Sequence, residues 1–257
     1  MKLTLDLKKT VDQNASDYFE KAKKAKKKLE GARKAIEKTR LKLSAEKEKK
    51  IVVEKKLFKP SKKDWFENFR WCYSSEGFLM IGGRDAATNE IVIKKHTEKN
   101  DLVFHTDMAG SPFVVIKNPE NNNISEETKQ EAAQLTAAYS RAWKQGITSL
   151  EVFCVLPEQV SKQARAGEFL AKGAFMIYGK KSFYSPEVKL AIGVYQGKVM
   201  AGPLSAVKAH CKPYVEVMPG EEKPSSIAKL IQKRLNTALD DIIRVLPGGG
   251  CSIKKQS

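Results

Sequence analysis

The fold class of this 257-residue chain is decided by the stretch DWFENFRWCYSSEGFLMIGGRDAATNEIVIKKHTEKNDLVFHTDMAGSPFVVIK, residues 64–117. Its first residues carry large aromatic side chains at Trp65, Phe66, Phe69, Trp71 and Tyr73. Exposing so many rings to water would cost folding free energy, so we expect them to begin a hydrophobic core. An apolar run at 78–81 and a turn at Gly82-Gly83 follow. The pattern therefore predicts that a globular domain begins here.

The rest of the chain mixes strand and helix patterns. Residues 86–100 fit either a strand, because of the β-branched run 91–93, or a helix capped at Thr88 or Asn89. Helices are predicted at 126–143, capped by Ser125 and stopped by Gly146, and at 226–245. Clearer strands are predicted at 102–105, 113–116, 152–156, 175–178, 190–195 and 214–218. We predict an α+β domain with a mixed or antiparallel sheet and flanking helices.

A basic helical arm precedes this domain. Apolar or small residues alternate at spacings of four and three from Val11 to Leu43, which is typical of the seam of a coiled coil. Asn14 or Ser16 is the expected cap, after an extended lead-in of about a dozen residues. The sequence KPSKK at 59–63 ends the helical pattern. We therefore assign residues 1–59 to a coiled-coil arm and 60–257 to the domain.

Most of the excess positive charge belongs to the arm. The chain has a formal net charge of +17, and residues 1–63 hold 22 Lys or Arg against 9 Asp or Glu. Such a field attracts polyanions, with nucleic acid as the first expectation and an anionic membrane as the second. Because the alanine-rich seam buries little area, the arm is expected to need a partner helix, from this chain, a second copy or another protein. A solvated charged helix that serves solubility is the alternative.

Four cysteines, Cys72, Cys154, Cys211 and Cys251, show none of the spacings of a zinc site. Cys72 and Cys154 lie in apolar runs and are interpreted as small buried side chains of a reducing compartment. The sequence has neither a transmembrane run nor a signal peptide, so a cytoplasmic location is expected. The Gly82-Gly83 turn forms no nucleotide-binding motif, and no cofactor is predicted.

The quoted stretch resembles the opening of the RNA-binding domain of the NFACT family. The resemblance rests on the aromatic start, a Gly-Arg-Asp-x-x-x-Asn-Glu segment at 83–90 and an Asp-x-x-x-His strand at 101–105. It continues through EAAQLTAAYSRAWK, PEQVSK, GEFLAKGAFMIYGK and LAIGVY to the final helix. The arm is similar to the family's coiled coil at Asn14-Ala15, Tyr18-Phe19 and KAKKAKKK. Full-length members begin with a glycosylase-like domain that has no counterpart here, so the chain is either a short member or part of a longer one.

This resemblance implies binding to RNA rather than catalysis. Similar full-length proteins bind the large ribosomal subunit that still holds a peptidyl-tRNA after a stall, and they recruit tRNA to extend the nascent chain. The resemblance therefore implies tRNA and the large subunit as partners in ribosome quality control. The residues that the family uses for tailing lie in the absent domain, so tailing is not assigned. A stand-alone adaptor that acts through its coiled coil is the alternative function.

Candidate RNA contacts are the cations and hydrogen-bonding groups in predicted loops and helix ends, since phosphate contacts need cations on a rigid scaffold. They are Arg70, Arg84, Asp85, Asn89, Lys94, Lys95, His105, Lys117, Ser161, Lys162, Arg165, Lys172, Lys180 and Lys181. Phe183 and Tyr184 are candidates for stacking on bases. Arg84 and Asp85 could equally form an ion pair that fixes the Gly82-Gly83 turn.

Two further classes of function have weaker support. His105 and Asp107, with Ser111 and His96 nearby, could be a base and its orienting carboxylate, but no nucleophile motif or third partner accompanies them. A metal site from His96, His105 and His210 is weaker still. An adhesion module, as described for bacterial relatives, would need a secretion signal.

Overall fold

A computed structural model describes residues 4–50, 63–163 and 170–254, and for residues 41–50 it describes the backbone alone. These residues form two units, one before and one after the segment 51–62. The predicted boundary at 59–63 lies almost wholly outside the described residues and stays a prediction.

The arm is one long helix, α1 (Val11–Lys50). Its cap is neither Asn14 nor Ser16, so that prediction was wrong. Thr10 and Gln13 form a capping box, in which Gln13 N–H donates to Thr10 Oγ1 at 3.3 Å and Thr10 N–H donates to Gln13 Oε1 at 3.0 Å. Asn14 is buried and ties the lead-in to the helix, because its Oδ1 accepts from Asp6 N–H. The lead-in therefore folds back on the first turns of α1.

The seam of α1 is open along the helix as far as its side chains are described. Val11, Leu29 and Ile36 are 83%, 54% and 61% exposed. A helix with such a face gains stability when another apolar face covers it.

The second unit is an α+β domain, as predicted. Its main sheet has six strands in the order β1-β2-β4-β3-β5-β8, and every neighbouring pair is antiparallel. The strands are β1 (Arg70–Tyr73), β2 (Leu79–Gly82), β3 (Leu102–His105), β4 (Val114–Ile116), β5 (Val152–Val155) and β8 (Ser182–Tyr184). A short hairpin of β6 (Val160–Ser161) and β7 (Met176–Ile177) stands between β5 and β8.

A second antiparallel sheet has the order β10-β9-β11-β12. Its strands are β9 (Leu190–Tyr195), β10 (Lys198–Gly202), β11 (Tyr214–Glu222) and β12 (Cys251–Ile253). The part of the domain that the structure describes also has six α-helices: α2 (Ala86–Lys95), α3 (Glu126–Ala138), α4 (Arg141–Gln145), α5 (Leu204–His210), α6 (Pro224–Leu235) and α7 (Leu239–Val245).

Three helix predictions are resolved by local chemistry. Residues 86–95 are helical, with Asp85 rather than Thr88 or Asn89 as the cap. The helix predicted at 126–143 begins after Ser125 as expected but divides where Ser140 caps α4, and Gly146 ends α4 in the left-handed region. The helix predicted at 226–245 divides at Asn236, whose φ is 49°.

One continuous core lies between the sheets and helices. Of the opening aromatic cluster, Phe66, Phe69 and Trp71 are buried, whereas Trp65 is 46% exposed and stacks on His96. The four cysteines are all buried, as expected for Cys72 and Cys154. Burial raises the pKa of the Cys154 thiol to about 12. Within the described residues, no helix has the length and apolar character needed to cross a bilayer.

Candidate RNA-binding surface

One face of the main sheet carries a row of aromatic rings across three strands. The register places His105 of β3 opposite Phe153 of β5, and Phe153 opposite Phe183 of β8. Alternate residues of a strand point to opposite faces. The neighbouring Tyr184 donates its hydroxyl to Glu126 of α3 at 3.4 Å, so the row lies on the face away from α3.

The row is open at one end and covered at the other. Phe183 lies on the edge strand β8 and is 55% exposed, whereas Phe153 is buried beneath its neighbours. At the covered end, the His105 ring stacks on Phe113 with centroids 3.9 Å apart, and Phe113 meets Phe175 edge to face at 5.3 Å. The hairpin that precedes β8 therefore closes this end, and the sheet edge leaves one ring available to a ligand.

Two lysines lie against these rings. Lys181 Nζ lies 4.0 Å from the centroid of Phe153 and 3.3 Å from Asp107 Oδ1. Lys162 Nζ lies 5.0 Å from the centroid of Phe175 and donates to the carbonyls of Ala171 and Ala174. Contacts of this kind hold an ammonium group in place while part of it still faces water. We name His105, Phe153, Phe183, Lys162 and Lys181 the aromatic–lysine surface.

Helix α2 supports the hairpin that carries Lys162. Glu90 accepts from Lys94 Nζ at 2.6 Å and lies 3.9 Å from Lys162 Nζ, and it also accepts from Gly173 N–H at 3.4 Å. Gly173 has φ of +78°, and a Cβ there would lie 2.6 Å from Ala86 Cα. Only glycine fits this conformation without strain at so close an approach. The hairpin is thus fixed on the start of α2.

His105 is positioned by the backbone. Its Nδ1–H donates to the carbonyl of Pro112 at 2.9 Å, which leaves Nε2 as the acceptor of the neutral ring. Burial lowers the pKa of His105 below its ordinary value, and the Pro112 carbonyl opposes this shift. The ring is therefore neutral at pH 7 and brings no positive charge to this face of the sheet.

Several predicted residues join this surface or its border. Ser161 lies on β6 beside Lys162, and its hydroxyl accepts from Gln163 N–H. Lys180 and Lys172 are exposed. Lys172 is close enough to lower the pKa of the Asp85 carboxyl, after larger effects of hydrogen bonds from Thr88. Arg165 lies outside the described residues.

Other predicted residues have contacts that account for them within the domain. Asn89 is buried: its Oδ1 accepts from Phe113 N–H at 3.0 Å and its Nδ2 donates to Ser111 O at 3.2 Å. Lys117 pairs with buried Asp101 at 2.5 Å. These two side chains hold strands and loops together, and the structure offers neither of them as an RNA contact.

Arg84 and Asp85 do not form an ion pair, so the alternative that the sequence offered for these two residues is wrong. Asp85 turns its carboxylate to Thr88 N–H as the cap of α2. Arg84 donates from Nε to Asn68 O at 3.1 Å and from Nη2 to Phe69 O at 2.8 Å. Each side chain is thus engaged by the backbone rather than by the other. Arg70 lies over the ring of Tyr139, and Lys94 and Lys95 are exposed on the last turn of α2.

The geometry does not assemble the alternative sites. Asp107 pairs with Lys181, while Ser111 donates its hydroxyl to Met108 O. Neither group bonds to His105. In the described part of the chain, no three His, Cys, Asp or Glu side chains are grouped to hold a metal ion. Phe183 and Tyr184 point to opposite faces, so they cannot both belong to one stacking platform.

The sequence did not indicate that Phe153 lies in the aromatic row. Its apolar run predicts a buried strand, and only the cross-strand register aligns it with His105 and Phe183. Because 48 positions separate His105 from Phe153 and 30 separate Phe153 from Phe183, no local sequence pattern indicates that the three rings are neighbours.

Comparison with known proteins connects this geometry to a family. Residues 68–179 match the model of the NFACT protein RNA binding domain. The chain is 40% identical over 212 residues to the Archaeal Rqc2 homolog aRqcH of Methanocaldococcus jannaschii, which is 79% of this chain and 31% of that protein. It is 39% identical over 182 residues to the Ribosome quality control complex subunit NEMF of Homo sapiens, which is 67% of this chain and 16% of that protein.

The chain thus spans less than a third of the length of these relatives. Among solved structures, the C-terminal part of the fibronectin/fibrinogen-binding protein from Streptococcus suis is 21% identical, with a TM-score of 0.39 over 69% of this chain and 77% of that one. That superposition is too poor to establish a common fold. The family match and the curated relatives agree, and the chain belongs to the NFACT family of proteins.

Proposed function

We propose that this chain is a non-enzymatic RNA-binding factor of ribosome quality control that holds RNA on the aromatic–lysine surface. The observation that carries the proposal is the exposed ring of Phe183 on a sheet edge, two residues from Lys181 on the same face. An exposed aromatic ring offers a stacking partner to an unpaired base, and a neighbouring ammonium group can contact the adjoining phosphate.

The proposed RNA is single-stranded or a loop, such as the exposed ends and loops of tRNA or ribosomal RNA. Bases inside a duplex are already stacked, whereas an unpaired base can be turned onto a protein ring. Lys162 is held by the Phe175 ring and two backbone carbonyls, and Lys181 is held by the Phe153 ring and the Asp107 carboxylate, so less side-chain entropy is lost when a phosphate binds. The surface is therefore suited to bind without a large rearrangement.

The proposed partners are tRNA and the large ribosomal subunit after a stall, in the cytoplasm. The support is the family, whose members in animals and fungi are named as subunits of a ribosome quality control complex. The arm would add affinity for RNA of any sequence, because residues 1–63 carry 22 of the 47 Lys and Arg residues.

Binding of tRNA and of isolated large subunits across a salt series tests this proposal. The full chain, a chain without residues 1–59 and the variant Lys181→Gln are compared. Each neutralised phosphate contributes roughly 0.7 to 0.9 to the slope of log affinity against log salt. We expect Lys181→Gln to lower that slope by about one such unit, and removal of the arm to lower it by several.

A matched control is Lys208→Gln, which removes one exposed lysine from α5. The proposal fails if affinity does not depend on salt, or if Lys208→Gln and Lys181→Gln weaken binding equally.

The alternative function is an adaptor that acts through its coiled coil. The open seam of α1 favours it, since Val11, Leu29 and Ile36 are all more than half exposed. Replacing Leu29 and Ile36 by Lys would then abolish self-association or capture of a partner that survives nuclease treatment. Under the RNA-binding proposal, the same change leaves binding of tRNA to the domain intact.

A further inference from the structure

Three arginines that are distant in sequence meet at the start of β1. Arg84 donates from Nη1 to the carbonyl of Arg244 at 3.2 Å. Its other nitrogens bind the carbonyls of residues 68 and 69, next to Arg70. Arg244 Nη2 in turn donates to Glu67 O at 3.3 Å. The segments 67–70, 84 and 244 are thus held together by guanidinium groups.

The cluster is positively charged without a carboxylate to balance it. Within the described residues, none of the three guanidinium groups lies within 4.0 Å of an Asp or Glu oxygen. The nearby acidic groups are engaged elsewhere: Glu67 pairs with Lys198, and Asp85 caps α2. The carbonyls that accept from Arg84 and Arg244 satisfy hydrogen bonds but carry no net charge.

Arg70 adds an unsatisfied donor to this charge. Its guanidinium carbon lies 3.7 Å from the centroid of the buried Tyr139 ring, which orients the group. Its Nη1 is buried and has no hydrogen-bond acceptor among the described residues. A buried donor without a partner costs free energy, so native proteins rarely retain one unless a ligand or solvent satisfies it.

The positive charges of the two neighbouring arginines act on Arg84. The pKa of Arg84 is lowered, first by burial and then by the charges of Arg244 and Arg70. An oxyanion would relieve this repulsion and supply the acceptor that Arg70 lacks. A phosphate suits the site better than a carboxylate, because it offers more oxygens in a tetrahedral arrangement to several guanidinium groups at once.

We propose that Arg70, Arg84 and Arg244 form a phosphate-binding site, separate in its contacts from the aromatic–lysine surface. Arg84 is the positioning residue that holds the cluster, while Arg70 and the exposed Arg244 contact the phosphate. The phosphate belongs either to an RNA chain or to a free phosphate ion. The RNA source rests on the proposed function, whereas binding of the free ion does not.

Titration calorimetry of the full chain with inorganic phosphate, at constant ionic strength set by chloride, tests the site. The variants are Arg70→Gln and Arg244→Gln, and the control is Arg234→Gln, at an exposed residue of α6 that makes none of these contacts. We expect each site variant to bind phosphate about tenfold more weakly, as the loss of one charge-assisted hydrogen bond implies. Arg234→Gln should bind like the unaltered chain.

A second experiment measures the affinity of the chain for RNA with and without a 5′-phosphate across a salt series. One outcome is that the chain binds RNA at this site without binding free phosphate. In that case Arg70→Gln and Arg244→Gln should each lower the slope of log affinity against log salt by the amount that one neutralised phosphate contributes, and the ligand is then a phosphate within RNA. Dependence on the 5′-phosphate would identify the terminal group. Should Arg70→Gln fail to fold, Arg244→Gln decides alone, because that side chain is exposed.

The inference is overturned if the folded site variants have the same affinity as Arg234→Gln for both phosphate and RNA. The proposed function can fail independently of it. Lys181→Gln and Phe183→Ala report on the aromatic–lysine surface, and they should leave the affinity for inorganic phosphate unchanged.

Discussion

Replacing Phe183 by Ala separates binding from stability at the open end of the aromatic–lysine surface. The side chain is 55% exposed, so less than half of its area is buried in the folded domain. Complete burial of a Phe side chain stabilises a protein by roughly 1.5 to 3 kcal/mol, so the loss here should be about 1 kcal/mol. For a domain of this size, that lowers Tm by about 2 to 4 °C.

The expected effect on RNA affinity is larger. Stacking of one base on an aromatic ring contributes about 1 to 3 kcal/mol, so affinity should fall by about 5-fold to 150-fold. Fluorescence anisotropy with a labelled single-stranded RNA measures this change. Phe183→Leu sharpens the test, because it keeps apolar area at β8 but removes the π face, and it should bind almost as weakly as Phe183→Ala.

The matched control is Leu230→Ala on α6. Leu230 is 46% exposed, so this change removes a similar partly buried apolar group from another element. It should lower Tm by a comparable amount and leave RNA affinity unchanged. The reasoning is refuted if Phe183→Ala is folded and binds RNA as tightly as the unaltered chain, or if Leu230→Ala weakens binding to the same extent.

Four further outcomes are expected. Arg84→Ala should lower the free energy of unfolding in urea by about 2 to 4 kcal/mol, because three carbonyls lose a charged donor; an unchanged midpoint would contradict its positioning role. Asn89→Ala should cost about 1 to 3 kcal/mol by the same measurement, since the buried N–H of residue 113 loses its acceptor. The folded-state pKa of His105 is lower than its unfolded-state value near 6.5, so the neutral ring contributes its full stability above pH 6.5. That contribution is lost as pH falls toward the folded-state pKa. The variant His105→Gln should therefore lose less Tm than the unaltered chain between about pH 6.5 and 5. Cys154 should react with a thiol reagent at pH 8 only after unfolding, because burial raises its pKa to about 12; rapid labelling of the folded chain would contradict this burial.

The motif that identifies the family is largely structural in its contacts. Gly83 lies so close to Asn89 that an added Cβ would come within 1.9 Å of the amide oxygen. Asp101 is fully buried and accepts from Lys117 and from the backbone N–H of residues 98 and 118. These residues fasten α2 and the β3–β4 region to the sheet. The exposed groups proposed to meet RNA lie mostly on β8 and the hairpin before it.

The sequence by itself determined the features that depend on neighbouring residues. Runs of apolar residues are a local property, and they predicted most strands, the α+β class and the burial of Cys72 and Cys154. The cap at Ser125 and the stop at Gly146 were also predicted, because each is set by one side chain or one backbone conformation. The ordered motifs from residue 64 onward were sufficient to indicate the family.

Tertiary structure decided what depends on residues far apart in sequence. The two predicted helices divide at Ser140, which caps α4, and at Asn236, whose φ is positive, although the apolar pattern runs on through both positions. Tertiary structure engaged Asn89 and Lys117, both predicted RNA contacts, with the N–H of residue 113 and with Asp101, partners that only the fold brings near. Strand register aligned the rings of the aromatic–lysine surface, and hydrogen bonds to backbone carbonyls gathered the three arginines. Such proximity is absent from a one-dimensional pattern, because it arises only when distant segments share one core.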